Sequence, residues 1–408
     1  MPQLPPIAPP SIFISRPLRV WLVMGLFVVY LVVGYCIFFE AIAPVANFRV
    51  QPAIAADSAA YWDASGVRTT NFASQEQAGP KASSNLFGPV LEAEILRTDL
   101  NVALFNCFLF VFCLSLLRTM PEFDRATFLL LMMINPFLLA SLISLNKEIF
   151  ALAGIVVFIR YTAAKHFRFG WLALALTLSL FARWQQVLVM LLYVLYESKI
   201  SPLRGRRRRG IAVTVLGFTV AYGLIYRLAP LFFAALLAQA QAGHTILLLD
   251  NIQAYFGFWL VAIPKIMMNC MGRLITPGYF LNSYPHEDFT NWRDQIFMQM
   301  HTFFLTALLA GMLFGRKLRL QHAPVYLLAL YLLMTAVNPM VQPRYEYAAY
   351  VLLCLEASRY FRLGLDGEAP RTVSRGQFFF LPLVDWSRLS GASGIVSSRN
   401  PGRSHGPI

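Results

Sequence analysis

The chain has 408 residues, of which 58% are hydrophobic and only 13% are charged, and its mean hydropathy is +0.58. A soluble domain carries about 25% charged residues, so this composition excludes an ordinary soluble globular protein. The formal net charge of +14 is concentrated in short basic clusters between apolar runs. That pattern favours contact with anionic membrane lipid over binding of nucleic acid. The five cysteines show neither metal-ligand spacing nor a disulfide framework.

The first element in chain order is an apolar run over residues 19–40, which follows a proline-rich segment, residues 1–18. A helix of about 20 apolar residues crosses the hydrocarbon core of a bilayer. We therefore predict a first membrane helix over 19–40, preceded by a flexible cytosolic leader. A long exterior loop of roughly 60 residues follows it, well beyond the ordinary length of a connection. We expect this loop to carry short amphipathic helices.

Nine further membrane helices are predicted after this loop, which makes the fold class an all-α polytopic membrane protein with about ten spans. The runs are 100–117, 126–145, 149–164, two short helices within 171–196, then 211–233, 299–314, 323–337 and 347–357. The two short helices are expected to meet near the outer surface at residues 183–186, where polar side chains interrupt the apolar run.

The orientation of the chain is predicted from its basic clusters. They lie near residues 16–19, 118–125, 165–168, 199–209, 316–319 and 359–362. Short loops rich in Lys and Arg stay in the cytoplasm. We expect both termini in the cytosol, a multi-pass location in the plasma membrane and a single transmembrane domain over 19–362. Residues 363–408 are rich in Gly, Ser, Arg and Pro, which is typical of a disordered tail.

One apolar segment, residues 255–271, does not fit this count. It is apolar enough to span, but an additional span would move the basic residues 315–320 to the exterior. Pro264 and Lys265 also weaken it as a lipid-facing helix. We predict an interfacial or re-entrant segment, with a full span as the alternative.

The first exterior loop contains an acidic and aromatic group that suits carbohydrate chemistry. Asp57 lies shortly after the first helix and is followed by Tyr61, Trp62 and Asp63. A carboxylate at a membrane surface can accept the proton of a sugar hydroxyl as that hydroxyl attacks an activated anomeric carbon. Aromatic rings such as Tyr61 and Trp62 can stack on a sugar. We predict Asp57 as the catalytic base, the alternative being a solvated loop carboxylate.

Basic residues on the same side are candidates for holding the phosphate of a lipid-linked donor. Arg183 lies between two short apolar runs, where a guanidinium is costly unless it is paired or hydrated. Arg344 and Tyr345 lie in a rigid proline-rich turn, and Lys147 follows the third helix. Arginine suits the bidentate geometry of phosphate. The alternatives are a snorkelling Arg183, an aromatic belt at the turn and a polar turn at Lys147.

Other chemistries find little support in the sequence. His286, Glu287 and Asp288 could ligate a divalent cation, but no second cluster accompanies them. The chain contains no P-loop, dinucleotide fingerprint, GxSxG or HExxH motif. We therefore predict no metal site and no cofactor.

Taken together, these features resemble the membrane glycosyltransferases of the GT-C type. The resemblance spans residues 19–362 and is carried by four features. They are the first exterior loop with Asp57 near aromatic residues, the Asn-Pro helix INPFLLASLISLNKE over 134–148, the broken pair around Arg183, and the Pro-Arg-Tyr turn over 343–345. Two features depart from the usual pattern, because no paired carboxylate lies directly beside Asp57 and no large soluble exterior domain is present.

This resemblance implies a glycosyltransferase that uses a polyprenyl-phosphate-linked sugar and a glycan or lipid acceptor on the exterior, periplasmic face. It assigns Asp57 to catalysis, and Arg183 and Arg344 to phosphate or sugar contacts. The layout also resembles surface-polysaccharide and O-antigen polymerases of the Wzy and EpsG kinds, whose Arg and Gly spacing occurs here as Arg68 and Gly79.

Two interpretations from other functional classes remain open. A lipid-linked sugar flippase or transporter would need no catalytic base, although such proteins usually show internal repeats and none is evident here. The other interpretation is a structural partner in an envelope-assembly complex. Both predict that Asp57 can be replaced without loss of product.

Overall fold

The computed structural model describes residues 16–35, 56–67, 87–164, 169–228, 244–275, 289–338 and 343–361. Throughout these ranges the regular structure is helical and no strand occurs. This confirms the all-α class for the described part of the chain. Most of the predicted leader and all of the predicted tail lie outside these ranges, as do Arg68, Gly79 and the segment containing His286, Glu287 and Asp288.

The described residues form fifteen α-helices and one 3₁₀ turn. The helices before the central bend are α1 (Arg16–Tyr35), α2 (Ala56–Ser65), α3 (Phe87–Leu96), α4 (Asp99–Arg118) and α5 (Arg125–Ile134). The next are α6 (Pro136–Ile143), α7 (Glu148–Ala163), α8 (Phe169–Ala182), α9 (Trp184–Glu197) and α10 (Arg207–Leu228). The last are α11 (His244–Phe256), α12 (Phe258–Ile275), α13 (Phe289–Phe314), α14 (Ala323–Val337) and α15 (Tyr347–Tyr360), with the 3₁₀ turn Pro343–Glu346 before α15.

The predicted count of ten spans is not borne out by the described helices. Three stretches are long and apolar enough to cross a membrane: Asp99–Arg118, Arg207–Leu228 and Phe297–Phe314. A fourth span results if the bent pair α5 and α6 is counted as one. Other apolar helices, such as Ala323–Val337, are only 10–17 residues long, and 18 or more apolar residues are expected for a span. Interruptions of the helical structure at polar residues leave several helices below that length.

The helix predicted over 126–145 is in fact two helices, α5 and α6, with a 91° bend at Asn135. Pro136 begins α6, where its missing N–H costs no hydrogen bond. The Asn135 side chain accepts a hydrogen bond from the Phe137 backbone N–H at 3.0 Å and thereby caps α6. Its Nδ2 lies 2.8 Å from Nδ1 of His301 in α13, which ties the bend to another helix.

The helices α8 and α9 form a hairpin on α7, with the break at Arg183. Ser179 in α8 and Gln186 in α9 are joined by a 3.0 Å hydrogen bond, and Gln186 Nε2 also donates to the Ala151 carbonyl of α7 at 2.9 Å. Farther along α9, the Tyr193 ring lies 5.3 Å from the Phe158 ring of α7. The break predicted at residues 183–186 is therefore present, and α9 runs back alongside α7.

Arg207, Lys317 and Arg359 lie at one end of the helix bundle, where they contact Glu197, the Tyr360 ring and Glu122 respectively. Arg207, at the start of α10, bonds Glu197 at 2.5 Å and the Leu320 carbonyl at 2.9 Å, so the connections before α10 and before α14 meet. The Asp124 N–H donates to the Ser358 carbonyl at 3.1 Å, so the start of α5 and the end of α15 also meet at this end. We name this the basic end. Glu148, at the start of α7, lies at the other end of these helices.

The segment predicted as interfacial or re-entrant is the helix α12, which packs on α11 after a break at Gly257. Gly257 has a φ of +101°, a conformation that favours glycine. Lys265 is buried and donates hydrogen bonds to the side chains of Asp250 and Gln253 in α11. Gln253 in turn donates to the Val337 carbonyl at the end of α14. The ammonium group of Lys265 is thus engaged inside the protein.

Candidate functional site

The connection between α6 and α7, residues 144–147, is buried over its whole length. Connections usually lie on the surface, because buried backbone polar groups need partners. Here Asn106 of α4 supplies one: its Nδ2 donates to the Ser144 carbonyl at 3.2 Å. The Asn146 side chain lies 3.4 Å from the Glu148 backbone N–H at the start of α7. This packing fixes Glu148 inside the protein.

Arg183 lies opposite Glu148. Its Nη2 is 2.7 Å from Glu148 Oε1, and both side chains are nearly inaccessible to solvent, at 5% and 3% exposure. Its Nη1 donates to the Tyr345 carbonyl at 3.3 Å, and its guanidinium carbon lies 4.6 Å from the centre of the Tyr345 ring. The Tyr331 hydroxyl of α14 donates to the same carbonyl at 2.6 Å. Arg183 therefore joins α7, the α8–α9 break and the 3₁₀ turn.

Glu346 follows Tyr345 and is the most deeply buried acid at this end, with no exposed surface. Neither carboxylate oxygen has a hydrogen-bond partner among the described residues. Burial raises the pKa of Glu346 to about 7, while the nearby Thr335 hydroxyl and Arg183 guanidinium limit the rise. A carboxyl with such a pKa can gain or lose a proton near neutral pH. We name Glu148, Arg183, Tyr345 and Glu346 the polar cluster.

The sequence-predicted residues Arg183 and Tyr345 are brought together in the polar cluster. Arg344 precedes Tyr345 in the 3₁₀ turn, and its side chain lies outside the described part of the structure. Lys147 is buried, at 5% exposure, directly before Glu148. Arg183, Tyr345 and Lys147 therefore lie at one end of the helix bundle.

Tyr61 and Trp62, which were predicted to bind substrate, are buried in the structure. They are 2% and 4% exposed and pack with Ala93 of α3, Val102 of α4 and Leu145. Their rings stabilise a small apolar cluster, which docks α2 beside the buried connection. Asp57 lies one helical turn before Tyr61 on α2. The Asp57 side chain lies outside the described part of the structure.

Helix α3 approaches the Arg183 break closely. A Cβ atom at Gly88 would lie 2.3 Å from the backbone oxygen of Phe181, two residues before Arg183. Glu92 on the same helix is 4% exposed, and neither of its carboxylate oxygens has a hydrogen-bond partner in the described part of the chain. Burial raises the pKa of Glu92 well above its usual range. A second proton-holding acid thus lies close to α2.

Glu148, the partner of Arg183, was not predicted from the sequence. Glu148 is 35 positions earlier, and its proximity depends on the α7–α8 packing. The available signal was that Glu148 and Arg183 both lie at the predicted outer ends of helices, where the chain turns.

The described residues contain no group of three or more His, Cys, Asp or Glu side chains that could hold a metal ion. What the arrangement can do is bind polar groups, hold a proton near neutral pH and keep a guanidinium away from bulk water. Comparison with protein-family models, curated proteins and solved structures gives no match for this chain.

Proposed function

We propose that this chain is an integral membrane glycosyltransferase that transfers a sugar from a polyprenyl-phosphate-linked donor to a glycan or lipid acceptor. The observation that carries the proposal is the position of the polar cluster. Buried ionisable groups in an apolar helix bundle are expensive, and such groups mark substrate or ion pathways. Here they meet at the end of the bundle that lies away from the basic end.

The orientation in the membrane is part of the same proposal. If the basic end faces the cytoplasm, as Lys/Arg-rich connections do, the polar cluster faces the exterior. Polyprenyl-phosphate sugars present their head groups at a membrane surface, so a site at one end of the bundle can reach them. The acceptor would approach from the exterior.

Asp57 is the proposed general base, and the packing of α2 supports this assignment. Tyr61 and Trp62 hold α2 against Leu145, three residues before Glu148. In the proposed reaction, Asp57 removes the proton of the acceptor hydroxyl, whose oxygen attacks the anomeric carbon. The bond from that carbon to the phosphate oxygen breaks, and the polyprenyl phosphate leaves with the bonding electrons.

The test is an assay of sugar transfer in membranes that contain the protein, with a panel of labelled undecaprenyl-phosphate sugars as donors. Asp57→Asn keeps the shape of the side chain and removes its basicity, and loss of a general base costs about 100-fold to 10,000-fold in rate. Glu94→Gln, at an exposed position of α3, is the matched control. If stably expressed Asp57→Asn transfers sugar at a near-normal rate, Asp57 is not the general base. That result would favour the interpretation of the chain as a transporter or as a structural partner.

A further inference from the structure

The start of α10 and the connection that precedes it carry an exposed group of positive charges. Four arginine side chains within six residues are exposed there: Arg204, Arg206, Arg208 and Arg209. We name these four residues the basic surface. The sequence contains no acidic residue between Glu197 and Asp250, so the segment itself supplies no counter-charge. Like charges held this close repel one another and lower the stability of the fold unless anions lie nearby.

Arg207, in the middle of this run, bonds to the helix bundle and fixes the position of its neighbours. Its side chain contacts Glu197 at 2.5 Å and the Leu320 carbonyl at 2.9 Å. Its guanidinium carbon also lies 5.2 Å from the centre of the Tyr326 ring. Because Glu197 is engaged by Arg207, it is a poor partner for the exposed arginines. The basic surface is thus held in place while its charges face outward.

The helix α10 relates the basic surface to the membrane. It begins at Arg207, has 22 residues and is one of the candidate spans. At 1.5 Å per residue it is about 33 Å long, close to the hydrocarbon thickness of about 30 Å. Beyond its first turn, exposed side chains such as Leu216 and Val220 are apolar. If α10 crosses the bilayer, the basic surface therefore lies level with the phosphate groups of one leaflet.

The composition of the segment distinguishes between two kinds of polyanion. Guanidinium groups suit phosphate, which both lipids and nucleic acids carry. Recognition of nucleic acid also uses base contacts and stacking on aromatic rings. Residues 198–210 contain no aromatic residue, Asn or Gln, and the apolar side chains of α10 follow directly. A phospholipid, in contrast, offers a phosphate to the arginines and acyl chains to those apolar side chains.

We propose that the basic surface binds the phosphate groups of anionic phospholipids in the leaflet at which α10 begins. Two of its members, Arg208 and Arg209, lie in the first turn of α10, at the positive end of the helix dipole. Cations are unfavourable there, and a bound anion offsets that cost. The proposal concerns the end of the bundle away from the polar cluster, and it does not depend on sugar transfer.

The experiment is native mass spectrometry of the full-length protein in micelles that hold equal amounts of phosphatidylglycerol and phosphatidylcholine with the same acyl chains. The wild-type protein should retain phosphatidylglycerol with a preference of at least about 25-fold. Arg208→Gln/Arg209→Gln should lower that preference about five-fold for each cation removed, the contribution of one Lys or Arg near an anionic surface. The matched control is Arg97→Gln/Arg227→Gln, which removes two exposed cations outside the basic surface. It should leave the preference unchanged.

A second measurement uses the wild-type protein alone and stays informative if Arg208→Gln/Arg209→Gln is not obtained. Short single-stranded DNA is added to the complex with phosphatidylglycerol and should leave the bound lipid in place. If the DNA displaces the lipid, the surface favours nucleic acid and the proposal fails. It fails equally if the wild-type protein retains both lipids alike, or if the control variant loses as much preference as Arg208→Gln/Arg209→Gln. The proposed function is unaffected by these outcomes, because it is tested by the transfer assay.

Discussion

Nη2 of Arg183 and Oε1 of Glu148 lie 2.7 Å apart in a region where neither side chain exceeds 5% exposure. Removing one partner of such a pair leaves the other charge buried and uncompensated, which costs about 3–5 kcal/mol. We expect Arg183→Ala and Glu148→Ala each to destabilise the protein by about this amount. Thermal unfolding in detergent would measure the loss.

The control for these single variants is the double variant Arg183→Ala/Glu148→Ala. Because the double variant leaves no isolated charge, it should be more stable than the sum of the single losses predicts. Additive losses would mean that the two side chains do not interact in the folded protein. Arg183→Lys keeps the charge but loses the planar contact with the Tyr345 ring, so its stability should lie between wild type and Arg183→Ala.

Glu346 makes the stability of the protein depend on pH. Burial raises its pKa to about 7 in the folded protein, whereas an exposed glutamate in the unfolded chain titrates near about 4.3. The folded state therefore holds a proton that the unfolded chain has released. Its stabilising contribution is complete below about pH 4 and is lost as the pH rises toward 7.

Glu346→Gln should remove this dependence and raise the free energy of unfolding at pH 8 by up to about 4 kcal/mol, the equivalent of the pKa difference. Unfolding measured between pH 5 and pH 8 would test it, with Glu94→Gln as the exposed control. The raised pKa of Glu346 would be contradicted if the stability of the wild-type protein rises over that interval and Glu346→Gln shows the same dependence of stability on pH.

Gly88 is the point at which α3 contacts the Arg183 break. The Cβ of Gly88→Ala would lie 2.3 Å from the Phe181 backbone oxygen, and a carbonyl inside a helix cannot move aside easily. We expect a loss of about 1–3 kcal/mol, typical of overpacking. Gly170→Ala, where no atom lies within 4 Å of the added carbon, should be neutral or stabilising, as expected for alanine in a helix. Equal stability of both variants would mean that α3 does not pack at this place.

The two ends of the bundle should react from opposite sides of a membrane. Ile200 is 92% exposed at the basic end. Glu94 is exposed on α3, the helix that contacts the Arg183 break through Gly88. A membrane-impermeant thiol reagent applied outside intact cells should label Glu94→Cys and leave Ile200→Cys unlabelled. Labelling in inverted vesicles should give the reverse. The native cysteines Cys113, Cys270 and Cys354 are buried, but Cys107 is partly exposed, so the labelling is measured against the unsubstituted protein.

Local sequence patterns predicted several helices well. The helix expected over 323–337 is α14 (Ala323–Val337), and the helix expected over 100–117 is α4 (Asp99–Arg118). Apolar composition and flanking polar residues mark both boundaries. The break at Arg183 was also predictable, because a lone guanidinium interrupts an apolar run.

Features that depend on contacts between distant helices were not predictable in the same way. A proline within a helix predicts a kink, but the 91° bend at Asn135 also involves the side-chain cap on Phe137 and the contact with His301. The aromatic pair Tyr61 and Trp62 has the composition of a sugar platform, yet both rings are buried in packing. One sequence pattern serves binding surfaces and interiors alike, and only tertiary contacts distinguish them.

The buried connection over residues 144–147 determines where this protein tolerates added sequence. An inserted residue there would have to displace the Asn106 contact with the Ser144 carbonyl and shift Glu148 away from Arg183. The connection over 198–206, in contrast, is largely exposed. An epitope tag or a fused scaffold domain for electron microscopy is therefore best placed near Ile200, where added chain can extend into solvent and the packing around Arg183 is left intact.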